Sequence, residues 1–200
     1  NSLVRIDDTH FMVAYLDDSK GFIDTFSITA AGVITKEDTL AHDANGGTYN
    51  SLVKIDDTHF MLAYAGDGVD GYVKTFSIDG SYDITEIAEL EHDTGQGQWN
   101  SLVKIDSTHF ALAYQGTDSD GFITIFTLNG AFGISKTSSL EHDTADVTHN
   151  SLVLIDSTHL MLAYQNSASV GYLKTFSIDG SYALTQIDSL SAGAGVSQNS

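Results

Sequence analysis

The chain repeats itself. Asn-Ser-Leu-Val stands at Asn1, Asn50, Asn100 and Asn150, and Asn199-Ser200 begin it again. Ile-Asp-(Asp or Ser)-Thr-His follows each time, ending at His10, His59, His109 and His159. Next come Ala-Tyr at Tyr15, Tyr64, Tyr114 and Tyr164, a Gly-aromatic pair at Gly21, Gly71, Gly121 and Gly171, and Phe26, Phe76, Phe126 and Phe176. The copies run 49, 50, 50 and 49 residues. The missing residues fall in the loop before Gly21 and the segment before Asn199, where loops tolerate changes of length. A unit of this size cannot bury its apolar face alone and has to stack on its neighbours. One repeat domain over 1–200 is expected, with copies at 1–49, 50–99, 100–149 and 150–198, and 199–200 starting a further one.

Within a copy the pattern is that of strands. In the second copy, Ser51 to Ile55 and His59 to Tyr64 are apolar on both alternating faces, Tyr72 to Ile78 alternates, and Ile84 to Glu91 is more polar. These are short β-branched and aromatic runs separated by turn signals. The turns are Asp56-Asp57-Thr58, the run Gly66 to Gly71, and Asp79-Gly80, with Asn129-Gly130 and Asp179-Gly180 later. Such dipeptides suit turns that need positive φ. The first copy has Thr29-Ala30 there and needs a different turn. No stretch holds a helical period over ten residues.

Polarity rises along each copy, so the first two strands are expected to be sandwiched and the fourth to form a rim. That gradient fits an all-β, β-propeller architecture in which each copy is a four-stranded antiparallel blade. The four blades either close on themselves or make up part or half of a larger ring, which a homodimer would complete. A β-solenoid is the main rival, but its coils repeat at shorter periods.

Charge narrows the partners. Twenty-seven acidic residues face eight basic ones, a formal net charge of −19. Nucleic acid and anionic membrane surfaces, which need clustered Lys and Arg, are therefore not expected. The acidity suits cations, saline surroundings or plain solubility. At 42% hydrophobic, with ten Phe and nine Tyr, the chain can build a core. There is no cysteine, hence no disulfide and no thiolate metal site. Asn1-Ser2-Leu3-Val4 does not read as a signal peptide, and no apolar run reaches the length of a membrane span, so no membrane insertion is expected.

The run Leu-Glu-His-Asp-Thr, then Asn-Ser-Leu-Val-Lys-Ile-Asp, Ala-Tyr, Asp-Gly-Phe and Thr-Phe, resembles tandem-repeat, propeller-type proteins of marine microbes. The resemblance covers the whole chain. It implies a secreted or cell-surface protein and no defined activity. The repeats lack the Trp-Asp pair of WD40 proteins and the paired glycines of kelch proteins.

Several side chains invite a chemical reading. The connection into each Asn-Ser varies most, and variable loops on a rigid frame are where binding resides. Tyr49, Trp99 and His149 share one position in it and could stack on sugar rings or pack between blades. Asn50, Asn100 and Asn150 could line an axial channel or cap the loop. Asp67 and Asp70, and Asp118 and Asp120, resemble fragments of calcium loops, but no full EF-hand spacing follows and a plain acidic turn is the other reading. His42-Asp43, His92-Asp93 and His142-Asp143 pair histidine with carboxylate, yet neighbours in a strand point to opposite faces. The Thr-His pairs recur in every copy and are read as a repeated hydrogen bond at the start of the second strand.

No phosphate loop, nucleophile elbow or zinc-protease helix is present. Catalytic propellers draw their site from dissimilar blades, and these blades are alike. The expected function is a non-catalytic extracellular module for adhesion, surface display or assembly. The alternative is a multivalent carbohydrate-binding propeller using the inter-blade loops. The only cofactor considered is calcium, and a protein or glycan surface is the expected partner.

Overall fold

A computed structural model describes residues 1–191. The start of a further copy at 199–200 and the last variable connection lie outside the described residues.

Each copy forms one four-stranded antiparallel sheet, with strands in chain order. The first holds β1 (Ser2–Arg5), β2 (His10–Asp17), β3 (Lys20–Ile28) and β4 (Ile34–Asp43). The second holds β5 (Thr48–Lys54), β6 (His59–Ala65), β7 (Gly71–Ile78) and β8 (Ile84–Asp93). The third holds β9 (Gln98–Lys104), β10 (His109–Gln115), β11 (Gly121–Leu128) and β12 (Ile134–Asp143). The fourth holds β13 (Val147–Asp156), β14 (His159–Asn166), β15 (Gly171–Ile178) and β16 (Leu184–Ser191). Single 3-10 turns at Asp67–Val69 and Thr117–Ser119 are the only helical pieces among the described residues.

The sheets stack first strand beside first strand, β5 lying between β1 and β9, and β9 between β5 and β13. The arrangement is consistent with propeller blades, but no closed ring forms among the described residues. Three apolar clusters fill the three junctions. Met12, Ala14 and Ile23 of the first sheet meet Phe60, Leu62, Tyr64 and Phe76 of the second. Met61, Ala63 and Val73 meet Phe110, Leu112, Tyr114 and Phe126. Ala111, Ala113, Ile123 and Ile125 meet Leu160, Leu162, Tyr164 and Phe176. Facing side chains of successive copies thus bury one another, which a lone sheet of this size cannot do.

The most buried strands are the second and third of each middle sheet; β6 is buried along six of its seven residues. The sequence pattern puts the first strand among the sandwiched ones, but β5 is mostly half-buried, because its edge borders a cleft rather than another ladder. β8 carries its charges outward as expected for a rim.

The turns are built by carboxylates. Asp7 Oδ1 accepts the amides of Thr9 and His10 at 2.8 and 2.9 Å, and the His10 ring nitrogen lies 3.0 Å away. Asp56, Asp106 and Asp156 repeat the bond to the Thr amide and the contact to the His ring. The recurring Thr-His pair is therefore part of an Asp-capped turn. In the third turn the left-handed residue is Tyr82, Phe132 or Tyr182, with φ of 65°, 60° and 61°, and not the preceding glycine. Asp79 and Asp179 hold that turn by accepting the amides of Ser81 and Asp83, and of Ser181 and Ala183. The first copy meets the same need with Gly32 at φ 78°.

Candidate functional site

Tyr49, Trp99 and His149 sit on bulges. β5 pairs Thr48 with Ala65 but Ser51 with Ala63, so one extra residue is accommodated between them. The third and fourth sheets shift register at the same place. The bulge puts Tyr49, Trp99 and His149 at φ of 52°, 53° and 56°. Large side chains rarely adopt this conformation, which costs of order 1 kcal/mol or more each. Here it swings three side chains out of their sheets into one column. The Tyr49 and Trp99 ring centroids are 4.8 Å apart and those of Trp99 and His149 are 4.1 Å apart.

The next residue of each bulge is Asn50, Asn100 or Asn150. Asn50 Nδ2 donates to the Gly47 carbonyl at 2.6 Å. Asn100 Nδ2 donates to Gly97 and, across the junction, to Tyr49. Asn150 Nδ2 reaches the Trp99 carbonyl at 3.2 Å. These bonds fix each amide, and the Oδ1 atoms of all three are buried without a hydrogen-bond partner. A buried acceptor left unpaired costs free energy, so each retains unused hydrogen-bonding capacity.

These six residues, with Asn1, line a cleft of about 210 Å³ along the inner edge of the sheets. Asn50 and Asn100 bond to the carbonyls of their own loops, Asn150 bonds across the junction, and all three border the cleft. The aromatic residues both pack against one another and border it. Asn1 was not singled out in the sequence, although it is the first member of the Asn series.

The calcium-loop fragments lie elsewhere. Asp67 and Asp118 are exposed on the two 3-10 turns, and Asp70 and Asp120 close those turns by donating backbone amides to Asp67 and Thr117. Each turn offers two carboxylates, where calcium takes six to eight oxygens. Among the described residues no three His, Asp or Glu side chains gather as a metal-holding group.

His42, His92 and His142 are buried, and neither ring nitrogen of any of them has a partner. Each ring meets the next sheet's tyrosine edge-on: His42 with Tyr64, His92 with Tyr114, His142 with Tyr164, at 4.6, 4.6 and 5.1 Å. Burial pushes their pKa values down to about 4, about 3 and about 3, with the Lys74 and Lys174 charges adding to the effect on His42 and His142. They are neutral packing groups at neutral pH. The adjacent aspartates turn the chain instead, Asp43 Oδ1 accepting the Asn45 amide at 2.9 Å.

Several junction residues escaped sequence reasoning. Ser2, Ser51 and Ser101 each accept, at 2.9 Å, the amide of Leu52, Leu102 or Leu152 one copy along. Lys74 is buried and donates to the His42 carbonyl at 2.6 Å, with Glu86 and Glu89 beside it. The serine was visible as a repeated position; the lysine, replaced by Asp24 and Thr124 in two other copies, was not.

No protein-family model matches the chain, and no curated protein matches it. Among the described residues no helix is long and apolar enough to cross a membrane.

Proposed function

We propose that this protein is a non-catalytic, propeller-type binding module that works outside the cell in adhesion or assembly, and that its inner-edge cleft takes carbohydrate. The observation that carries the reading is the aromatic column. Three copies hold a large ring side chain at positive φ, where glycine or asparagine would be less strained. Backbone strain repeated at one place points to use of the side chain it aims. The apolar C–H face of a sugar suits the exposed edges and end faces of Tyr49, Trp99 and His149. The near-identity of the copies supports a repeated contact rather than a single catalytic centre. The extracellular setting rests on the acidic composition and the resemblance of the repeats.

Trp99 is the only tryptophan, so its fluorescence reports on this cleft alone. A glycan array followed by fluorescence titration tests the reading. A hit that shifts or quenches Trp99 emission and is lost in Trp99→Ala is the expected result. No binding across the array, or binding that Trp99→Ala leaves intact, removes the carbohydrate reading.

A further inference from the structure

Among the described residues, the two outermost sheet faces are the unmatched halves of one junction. Leu52, Leu102 and Leu152 are 8, 7 and 4% exposed, because each enters the sheet before it. Leu3, their counterpart in the first copy, is 66% exposed. Around it Phe11, Val13 and Phe26 are half-exposed and Ile34 is exposed, where Phe60, Leu62, Phe76 and Ile84 are buried.

The fourth sheet shows the reciprocal deficit. Met12, Ile23 and Thr25 are fully buried under the second sheet. Their counterparts Met161, Leu173 and Thr175, with Leu190, instead border an open cavity of about 180 Å³. Val153 is 50% exposed and Ile155 55%. The polar groups are unmatched too. Ser151 is exposed, whereas Ser2, Ser51 and Ser101 each hold the next copy's leucine amide. Arg5 stands where Lys54 and Lys104 reach back to the carbonyls of Ile6 and Ile55 at 2.7 and 2.5 Å.

We infer that the fourth sheet of one molecule docks on the first sheet of a second copy of this chain, head to tail, repeating the internal junction. The occupant is argued from the molecule itself, since three internal junctions already show what covers these faces. In that contact Leu3 enters the cavity beside Met161 and Leu173, Ser151 takes the Leu3 amide, and Arg5 faces the Ile155 carbonyl. Three internal features have no counterpart there. Gly32 replaces the aromatic residue that lies on His10, His59 and His109, Asp24 stands at the position of Lys74 and Lys174, and the sequence has Ala192 at the position of His42, His92 and His142, whose rings meet the next sheet's tyrosine. The contact is therefore weaker than the internal ones and reversible. It is heterologous, so it closes as a ring of few copies or extends as a chain. Copies of net charge −19 repel, so added salt strengthens the association. This proposal does not depend on what the cleft binds.

Sedimentation of the purified 200-residue chain across a concentration series, at low and high salt, tests it. The expected result is reversible association that grows with salt. Leu3→Asp and Val153→Asp each alter an exposed residue and leave one face intact. Each alone is expected to be monomeric with an unchanged circular dichroism spectrum, and their equimolar mixture to regain a dimer through the two intact faces. A wild-type chain that stays monomeric at every concentration and salt, single variants that still associate, or a mixture that gains nothing would each overturn the inference.

Discussion

The imidazole of His109 lies flat on the ring of Tyr182 in the next sheet, centroids 3.5 Å apart, while the Tyr182 hydroxyl donates to Asp106 Oδ2 at 2.7 Å. Asp106 also accepts the amides of Thr108 and His109. Burial opposes the charge on Asp106, yet these donors hold its carboxyl well below the usual range. The same stack joins His10 to Tyr82, and His59 to Phe132, which has no hydroxyl. Tyr182→Phe should therefore cost about 1.5 kcal/mol, the low end for a hydrogen bond to a charged group, because Asp106 keeps its other donors. Tyr182→Ala should cost about 2–4 kcal/mol, since it removes the stacked ring as well. Urea unfolding of the two variants checks the order, and equal losses would mean that the stack contributes nothing.

Acid should weaken the junctions before it reaches most carboxylates. His42, His92 and His142 stay neutral in the folded chain down to about 4, about 3 and about 3. In the unfolded chain they take up protons near pH 6.5. The unfolded state thus binds more protons between these limits, and stability present above pH 6.5 is lost as pH falls toward 4. Each histidine contributes about 1.4 kcal/mol per pH unit in that window. Melting temperatures measured from pH 7.5 to 4.5 should fall, and His92→Leu should flatten the slope by about a third of the histidine contribution. An unchanged slope would show that His92 is charged or exposed in the folded protein.

Gly71 is fixed by the histidine beneath it. A Cβ there would lie 2.5 Å from His92 Cε1 and 3.1 Å from Gly97 Cα. Gly71→Ala should cost about 1–3 kcal/mol by overpacking. In a His92→Gly background the same change should cost clearly less, leaving only the Gly97 contact. A double-mutant cycle measures this coupling, and additive losses would place the clash elsewhere.

Strain at the cleft can be separated from stacking. Both Trp99→Ala and Trp99→Gly abolish the column, but only glycine relaxes the φ of 53°. Trp99→Gly should be about 1 kcal/mol more stable than Trp99→Ala. The reverse order in denaturant titrations would mean that the bulge rearranges when the indole is removed.

Much of the fold was legible in the chain. The second to fourth strands of the second copy match the apolar runs to within two residues, because alternation and turn residues carry that signal directly. The first strand begins at Thr48, earlier than its apolar run, since its opening residues pair with β6 across a bulge and have no need to be hydrophobic. The left-handed residue of the third turn was misplaced onto Gly80, because Asp79 stabilises the turn from its side chain and leaves the strain on Tyr82. Tyr49, Trp99, His149 and the three asparagines stood out as one repeated position, and the structure gathers them round one cleft. How they converge was not legible, because no local pattern announces an aromatic residue at positive φ. Bonds that cross between copies, such as Lys74 to the His42 carbonyl, depend on stacking register and leave no trace in sequence spacing.

The serine-to-leucine bond has one more consequence. Ser2, Ser51 and Ser101 make it with leucines 50 or 51 positions ahead, always from one copy to the next. Excising one internal copy whole would present the following copy with a donor and acceptor of the same kind it already uses. The protein can thus be shortened or lengthened by genetic exchange in steps of one repeat, with no new type of contact to evolve at the splice.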